Sequence, residues 1–200
     1  MIIERVLAPV FASLLLVGAA LADPLSLGAI SRYLNGLSTA QGGFTQINDD
    51  GTISTGQIYI RRPGRIRFEY NPPDEALVMA GGGQVAIFDS KSNQPPEQYP
   101  LKRTPLNLIL QRRVDLGRAG MVVGHTTDGT KTNVIARDPE NPEIGTIQLV
   151  FTGPPVELRQ WIIEGSDGSR TTVVLGDMKF GGGIPAIKFS IPSEIQSRQR

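Results

Sequence analysis

The chain contains no cysteine. Disulfides, thiolate nucleophiles and zinc–thiolate centres are therefore excluded. Such a protein must be held by its own core. A length of 200 residues with 40% hydrophobic content suffices for one domain and one core. Histidine is nearly absent, with His125 alone. A hydrolytic site would need a nucleophile and an orienting group around it, and there is no Gly-x-Ser-x-Gly elbow. His125 reads as a surface residue, and no catalytic residue is assigned. Charge of one sign is not in excess either. A formal net charge of +1 lacks the basic surplus of a nucleic-acid binder. The glycine runs Gly81–Gly83 and Gly181–Gly183 are not followed by Lys-Ser/Thr, so they are loop glycines and not phosphate loops. The acidic turns Asp49-Asp50-Gly51 and Asp138–Glu143 lack the alternating carboxylates of a calcium loop. Neither metal nor cofactor is expected.

Only one long apolar run is present, Val6 to Leu21, and Pro9 interrupts it. It follows Arg5 and ends at the small-x-small site Ala20-Leu21-Ala22. It is short for a membrane span, which needs roughly 20 residues. Residues 1–22 are read as a cleaved export signal, with the break near Ala22/Asp23. Residues 23–200 are read as a single exported domain.

What is present is strand alternation. Ile53 to Arg61 and Arg65 to Tyr70 flank a Pro63-Gly64 turn. Ile66, Phe68 and Tyr70 share one face, with Arg65, Arg67 and Glu69 on the other. Ile58 and Ile60 share a face with Arg62, a charge in line with an apolar row. Further strands are expected at Phe44–Ile47, Glu75–Ala80, Gln84–Asp89, Met121–His125, Thr132–Ala136, Thr146–Thr152, Leu158–Glu164 and Arg170–Lys179. Lys188–Ile191 closes the body, and the tail Ser193–Arg200 is expected to fray. Leu27, Ile30, Leu34 and Leu37 recur at helical spacing, predicting a helix over 24–38. Asp23 would be its N-cap and Gly42-Gly43 the stop before the strands. Pro105 to Arg112, with Leu106 and Leu110, predicts a second helix.

About ten antiparallel strands and two or three helices make a mainly β domain. A sheet of that size curls. The expected architecture is an incomplete, unclosed β-barrel whose mouth is covered by short α-helices. The row Ile58, Ile60, Ile66, Phe68, Tyr70, Leu77 and Met79 would then line an apolar cavity. Arg62 would either bond a covering helix as a latch or sit at the rim and reach water.

The phrase x-Arg62-Pro63-Gly64-x-x-Arg67-Phe68-x-Tyr70-x-x-Pro73 carries a resemblance. So do Gly43-Phe44-Thr45-Gln46, the segment Gly56–Tyr70, Asn71–Asp74, the strand pair Glu75–Asp89 and Thr104-Pro105-Leu106 to Leu110. In this order and spacing the chain resembles the periplasmic outer-membrane lipoprotein carriers, the LolA-type family, from about residue 25 to 192. The resemblance implies a periplasmic, non-enzymatic chaperone whose cavity takes the acyl chains of lipoproteins. It implies an inner-membrane ABC-type transporter as donor, an outer-membrane acceptor as recipient, and a monomer. It assigns the lid-gating arginine to Arg62, a transporter-contact position to Ile66 and an aromatic position to Phe68. The chain departs from some members after Ile191-Pro192, where they carry a longer extension linked to retention of cargo. It also lacks the lipid-anchoring cysteine of the acceptor that shares the fold. Two rivals stand beside this reading. One is a carrier or sensor of another hydrophobic ligand on the same fold. The other is an envelope-lipid hydrolase, which the single histidine makes a poor fit.

Overall fold

The structure is a computed structural model, and it describes residues 23–92 and 94–199. The export signal expected at residues 1–22 lies outside the described residues.

Eleven strands form one antiparallel sheet. They are β1 (Thr39–Ile47), β2 (Ile53–Arg61), β3 (Ile66–Tyr70), β4 (Leu77–Gly81), β5 (Gln84–Phe88), β6 (Glu97–Pro100), β7 (Val122–Thr127), β8 (Lys131–Arg137), β9 (Gly145–Thr152), β10 (Glu157–Gly165) and β11 (Arg170–Phe180). The order is β6-β5-β4-β3-β2-β1-β11-β10-β9-β8-β7. Two meanders thus meet at the β1–β11 pair, and among the described residues β6 and β7 are left as unpaired edges. Three helices accompany the sheet: α1 (Leu27–Gly36), α2 (Asn107–Leu110) and α3 (Ile191–Arg198).

The curl follows from one contact. Phe68 on β3 and Trp161 on β10 stand four strands apart, which in a flat sheet is roughly 19 Å at about 4.8 Å per strand. Their ring centroids are 6.3 Å apart. The sheet therefore bends round to face itself, and the unpaired edges show that it does not close. The expected incomplete barrel is the observed fold.

α1 starts at Ser26, whose hydroxyl accepts from the Ala29 amide. Asp23 stands before the helix and does not cap it. Ile30 and Leu34 are fully buried against the concave face and Leu27 is half-buried. The helix ends at Gly36, and Gly42-Gly43 lie inside β1 instead of stopping the helix. They serve the sheet. The β1–β11 register shifts between Gly42 and Phe44, and a Cβ on Gly42 would come within 2.6 Å of the Asp177 carbonyl. The second helix is shorter than the predicted 105–112 span. A 3₁₀ turn at Leu101–Arg103 precedes it, and Leu106, Leu108, Ile109 and Leu110 are buried in the core.

The C-terminal segment departs most from expectation. Lys188–Ile191, expected to close the body, spans the end of a 3₁₀ turn at Ala186–Phe189 and the start of α3, which is formed by residues expected to fray. Ser190 caps α3 and Pro192 sits in its first turn, where no amide donor is needed, while Glu194 in the first turn and Arg198 in the last suit the helix dipole. α3 packs on the outer, convex face of β4 and β5. There Leu77, Met79, Ala86, Phe88 and Ile191 form a second small core with Ile195 against it. Gly81 allows the approach, since a Cβ there would overlap the Phe189 carbonyl. The short edge strand β6 was not anticipated either. Its residues are exposed, so it carries no burial alternation.

Candidate functional site

The concave face is built by alternation. Ile58 and Ile60 on β2 stand opposite Phe68 and Ile66 on β3, and β3 in turn stands opposite Val78 and Ala80 on β4. That register corrects the expected lining. Leu77 pairs with Glu69 and Met79 with Arg67, so Leu77 and Met79 point outward under α3. The inward residues of β4 are Val78 and Ala80, one position away in each case.

Ile58, Ile60 and Ile66 are buried in the main core under α1 and α2. Phe68 and Tyr70 reach further and line an open cleft of about 430 Å³. Val78 and Val85 continue this wall, and Trp161, Ile163 and Val173 form the facing one. Its roof is the segment Arg103–Leu106, and its rim includes Ser166, Asp167 and Ser169 of the β10–β11 turn. The aromatic cluster is rigidly arranged. Phe44 meets Phe68 and Tyr70 edge-on, with centroids at 5.2 and 5.1 Å. The Tyr70 hydroxyl donates to the Gln46 side-chain oxygen at 2.7 Å. Burial pushes the Tyr70 phenol up to about 12.

The helices are fastened over the concave face at few points. Arg62 Nη2 donates to the Gln111 carbonyl, at the C-terminal end of α2, at 2.7 Å. Two residues on, the Gly64 amide donates to the Leu110 carbonyl at 2.8 Å. The β2–β3 turn is thus tied to the last turn of α2. The Asn35 side chain at the end of α1 donates to the Val114 carbonyl and accepts from the Val114 amide, both at 2.8 Å. The Leu116 amide donates to Ser31 on the same helix. At the other end of α1, the Leu25 amide donates to the Thr132 hydroxyl.

Arg62 carries a further sign. Its Nε is the one buried side-chain polar atom without a partner among the described residues. Burial lowers the affinity of this guanidinium for its proton, yet an arginine stays cationic. Arg62 as a residue is half-buried, and the desolvation of its unpaired Nε partly offsets the bond to Gln111. Arg61, the neighbouring residue, does not simply face solvent. Instead its Nη1 donates to the Ile184 carbonyl at 2.7 Å and it is half-buried. His125 is also half-buried, with Nε2 within 3.0 Å of the Leu25 carbonyl. That nitrogen is the donor, so it is not a free base. No group of three or more metal-ligating side chains occurs among the described residues.

The convex face holds a network that sequence reading missed. Arg67 Nε pairs with Glu69 at 2.7 Å and its Nη1 with Glu194 at 2.9 Å. The same Nη1 donates to the Lys188 carbonyl at 3.1 Å. Lys188 also pairs with Glu69 and lies 3.8 Å over the Tyr59 ring. The only signal was the alternation of Arg65, Arg67 and Glu69 on one side of β3, which reads equally as a solvated face.

A family model described as outer membrane lipoprotein carrier protein LolA matches residues 35–192. The chain is 25% identical over 198 residues to an outer-membrane lipoprotein carrier protein of Pseudomonas aeruginosa, covering 93% of this chain and 94% of that one. It is also 25% identical to the carrier of the same name from Chromohalobacter salexigens, over 88% and 90% of the two chains. Among solved structures, a DUF1329 family protein from Desulfovibrio piger has the same fold, with TM-score 0.51, 11% identity, and coverage of 85% of this chain and 96% of that one. An unclosed antiparallel barrel covered by α1 and α2, with a family match over most of its length, identifies this chain as a member of the LolA family of outer membrane lipoprotein carrier proteins.

Proposed function

We propose that this protein is a non-enzymatic periplasmic chaperone that shelters the acyl chains of lipoproteins between the two membranes. In this reading it receives them from an inner-membrane ABC-type transporter and passes them to an outer-membrane acceptor. The observation that carries the reading is an apolar concave face covered by helices that only a few hydrogen bonds hold down, Arg62 to Gln111 foremost.

The physics requires such a protein. Each buried CH₂ is worth about 0.8 kcal/mol, so a sixteen-carbon chain left in water costs on the order of 12 kcal/mol. The carrier must also let go. α1 and α2 act as a lid whose apolar side chains fill the concave face when empty. Cargo displaces them, and closure on nothing returns that burial. Arg62 is the latch, worth roughly 1.5–3 kcal/mol as a charge-assisted bond. Its unpartnered Nε supports a group poised between two arrangements instead of one optimised for a single state. Ile58, Ile60 and Ile66 become cavity wall only when the lid lifts, joining Phe68 and Tyr70.

The test is depletion of the protein followed by separation of the two membranes. Lipoproteins should accumulate in the inner membrane. An unchanged distribution overturns the proposal.

A further inference from the structure

The cleft beside Phe68 exists while the lid is fastened. Its size selects its contents. At roughly 30 Å³ per heavy atom, the share of a water in its liquid, a sixteen-carbon chain needs about 480 Å³ and three such chains about 1,400 Å³. The cleft offers about 430 Å³, the room of one chain. Its floor is apolar and aromatic through Phe68, Val78, Val85 and Trp161, and its rim is polar. Two charged residues line the cleft, Asp167 at the rim and Arg103 in the roof. Oδ1 of Asp167 accepts from the Ser169 amide and hydroxyl, which holds this carboxylate within its own turn. Arg103 is exposed and takes part in no ion pair among the described residues. Arg103 is therefore the cation available to an anionic head, placed apart from the ionised Asp167 in the β10–β11 turn.

We infer that the lid-closed protein has a one-chain site in this cleft, which takes a single-chain amphiphile with an anionic head, tail against Phe68 and Trp161 and head toward Arg103. The inference rests on the carrier reading only for the meaning of the lid: one chain enters without opening it, and a multiply acylated cargo cannot. A free fatty acid and a monoacyl phospholipid share the required chemistry. They differ in head size, which the open rim leaves unrestricted.

Calorimetry with palmitate, below its aggregation concentration, is the test. One palmitate should bind per chain. Hexadecyltrimethylammonium, with the same tail and the opposite charge, should bind at least ~3-fold more weakly, as should palmitate to Arg103→Ala, the scale of an exposed ion pair. Val78→Trp and Thr171→Trp fill the cleft from opposite walls, and whichever folds should weaken palmitate by more than ~10-fold. Amide exchange at Gly64 and Val114 reports on the lid. It should be unchanged by palmitate and accelerated by a triacylated lipopeptide. Two or more palmitates per chain, equal affinity for both head charges, or lid amides exposed by palmitate would overturn the one-chain site. If the lipopeptide binds and palmitate does not, the site is wrong and the carrier reading stands. If palmitate binds and the lipopeptide does not, the carrier reading is wrong and the site stands.

Discussion

Arg67 and Glu194 are 127 positions apart in the chain, and their side chains meet at 2.9 Å on the convex face. That pair joins β3 to α3, and Arg198 adds a second bond to the same carboxylate. Burial pushes the Glu194 carboxyl upward, but the bonds and charges of Arg67 and Arg198 outweigh it and hold it below the usual range. Glu69 is held low in the same balance, by Arg67 and Lys188 against burial. A depressed native pKa means stability that is present above the unfolded value, about 4.3, and lost as pH falls through the native one. Attachment of α3 should therefore weaken below about pH 4. Glu194→Gln should cost about 1–2 kcal/mol, between an exposed and a buried pair, and remove part of this acid dependence. Thermal unfolding from pH 3 to 7 checks it, with proteolysis near Ile184–Ser190 as a local readout.

Arg62→Leu removes the bond to the Gln111 carbonyl. Loss of roughly 1.5–3 kcal/mol should raise the open population about 10- to 150-fold. The variant should accept acylated cargo, accumulate loaded and transfer poorly. Arg62→Lys should recover only part of the transfer, because a point charge lacks the planar fork. Arg112→Ala, exposed just past α2, should behave as wild type. Transfer to a purified acceptor decides it. Normal hand-off by Arg62→Leu would remove the latch.

Met79 lies under α3 and is fully buried there. Met79→Ala should cost about 2–5 kcal/mol of stability. Uptake of an acylated peptide per folded molecule should not change, because the side chain faces away from the cavity. Chemical denaturation and a binding titration on the same variant separate the two effects.

Tyr70 should be among the last tyrosines to ionise, near pH 12, as burial keeps its phenol neutral. A raised native pKa gives stability that is complete below the unfolded value of about 10 and lost as pH rises toward 12. Tyr70→Phe should remove that alkaline loss. It also breaks the bond to Gln46, at a cost of about 0.5–1.5 kcal/mol. Phenolate absorbance of the two proteins against pH is the measurement.

Much of the architecture was legible from local pattern. Ile53–Arg61 was predicted to the residue, because it lies between the Asp50-Gly51 and Pro63-Gly64 turns. Ile30 and Leu34 were placed on the covering helix because helical spacing leaves only one apolar face. Leu77 and Met79 were misassigned for a reason that alternation cannot cure. The pattern says which residues share a face, and only the pairing of Val78 with Phe68 says which face is inside.

The amino-acid sequence alone determined the class of fold, the position of the hairpins, the absence of thiol chemistry and the arginine that breaks an apolar row. These depend on residues within a few positions of one another. Tertiary structure alone decided the rest. It curled the sheet until Phe68 met Trp161, put the Gln111 carbonyl beside Arg62, and laid α3 over Leu77 and Met79. Each of these joins residues from 49 to more than 100 positions apart. Such contacts are set by strand register and sheet curvature, and the local pattern of one strand contains neither.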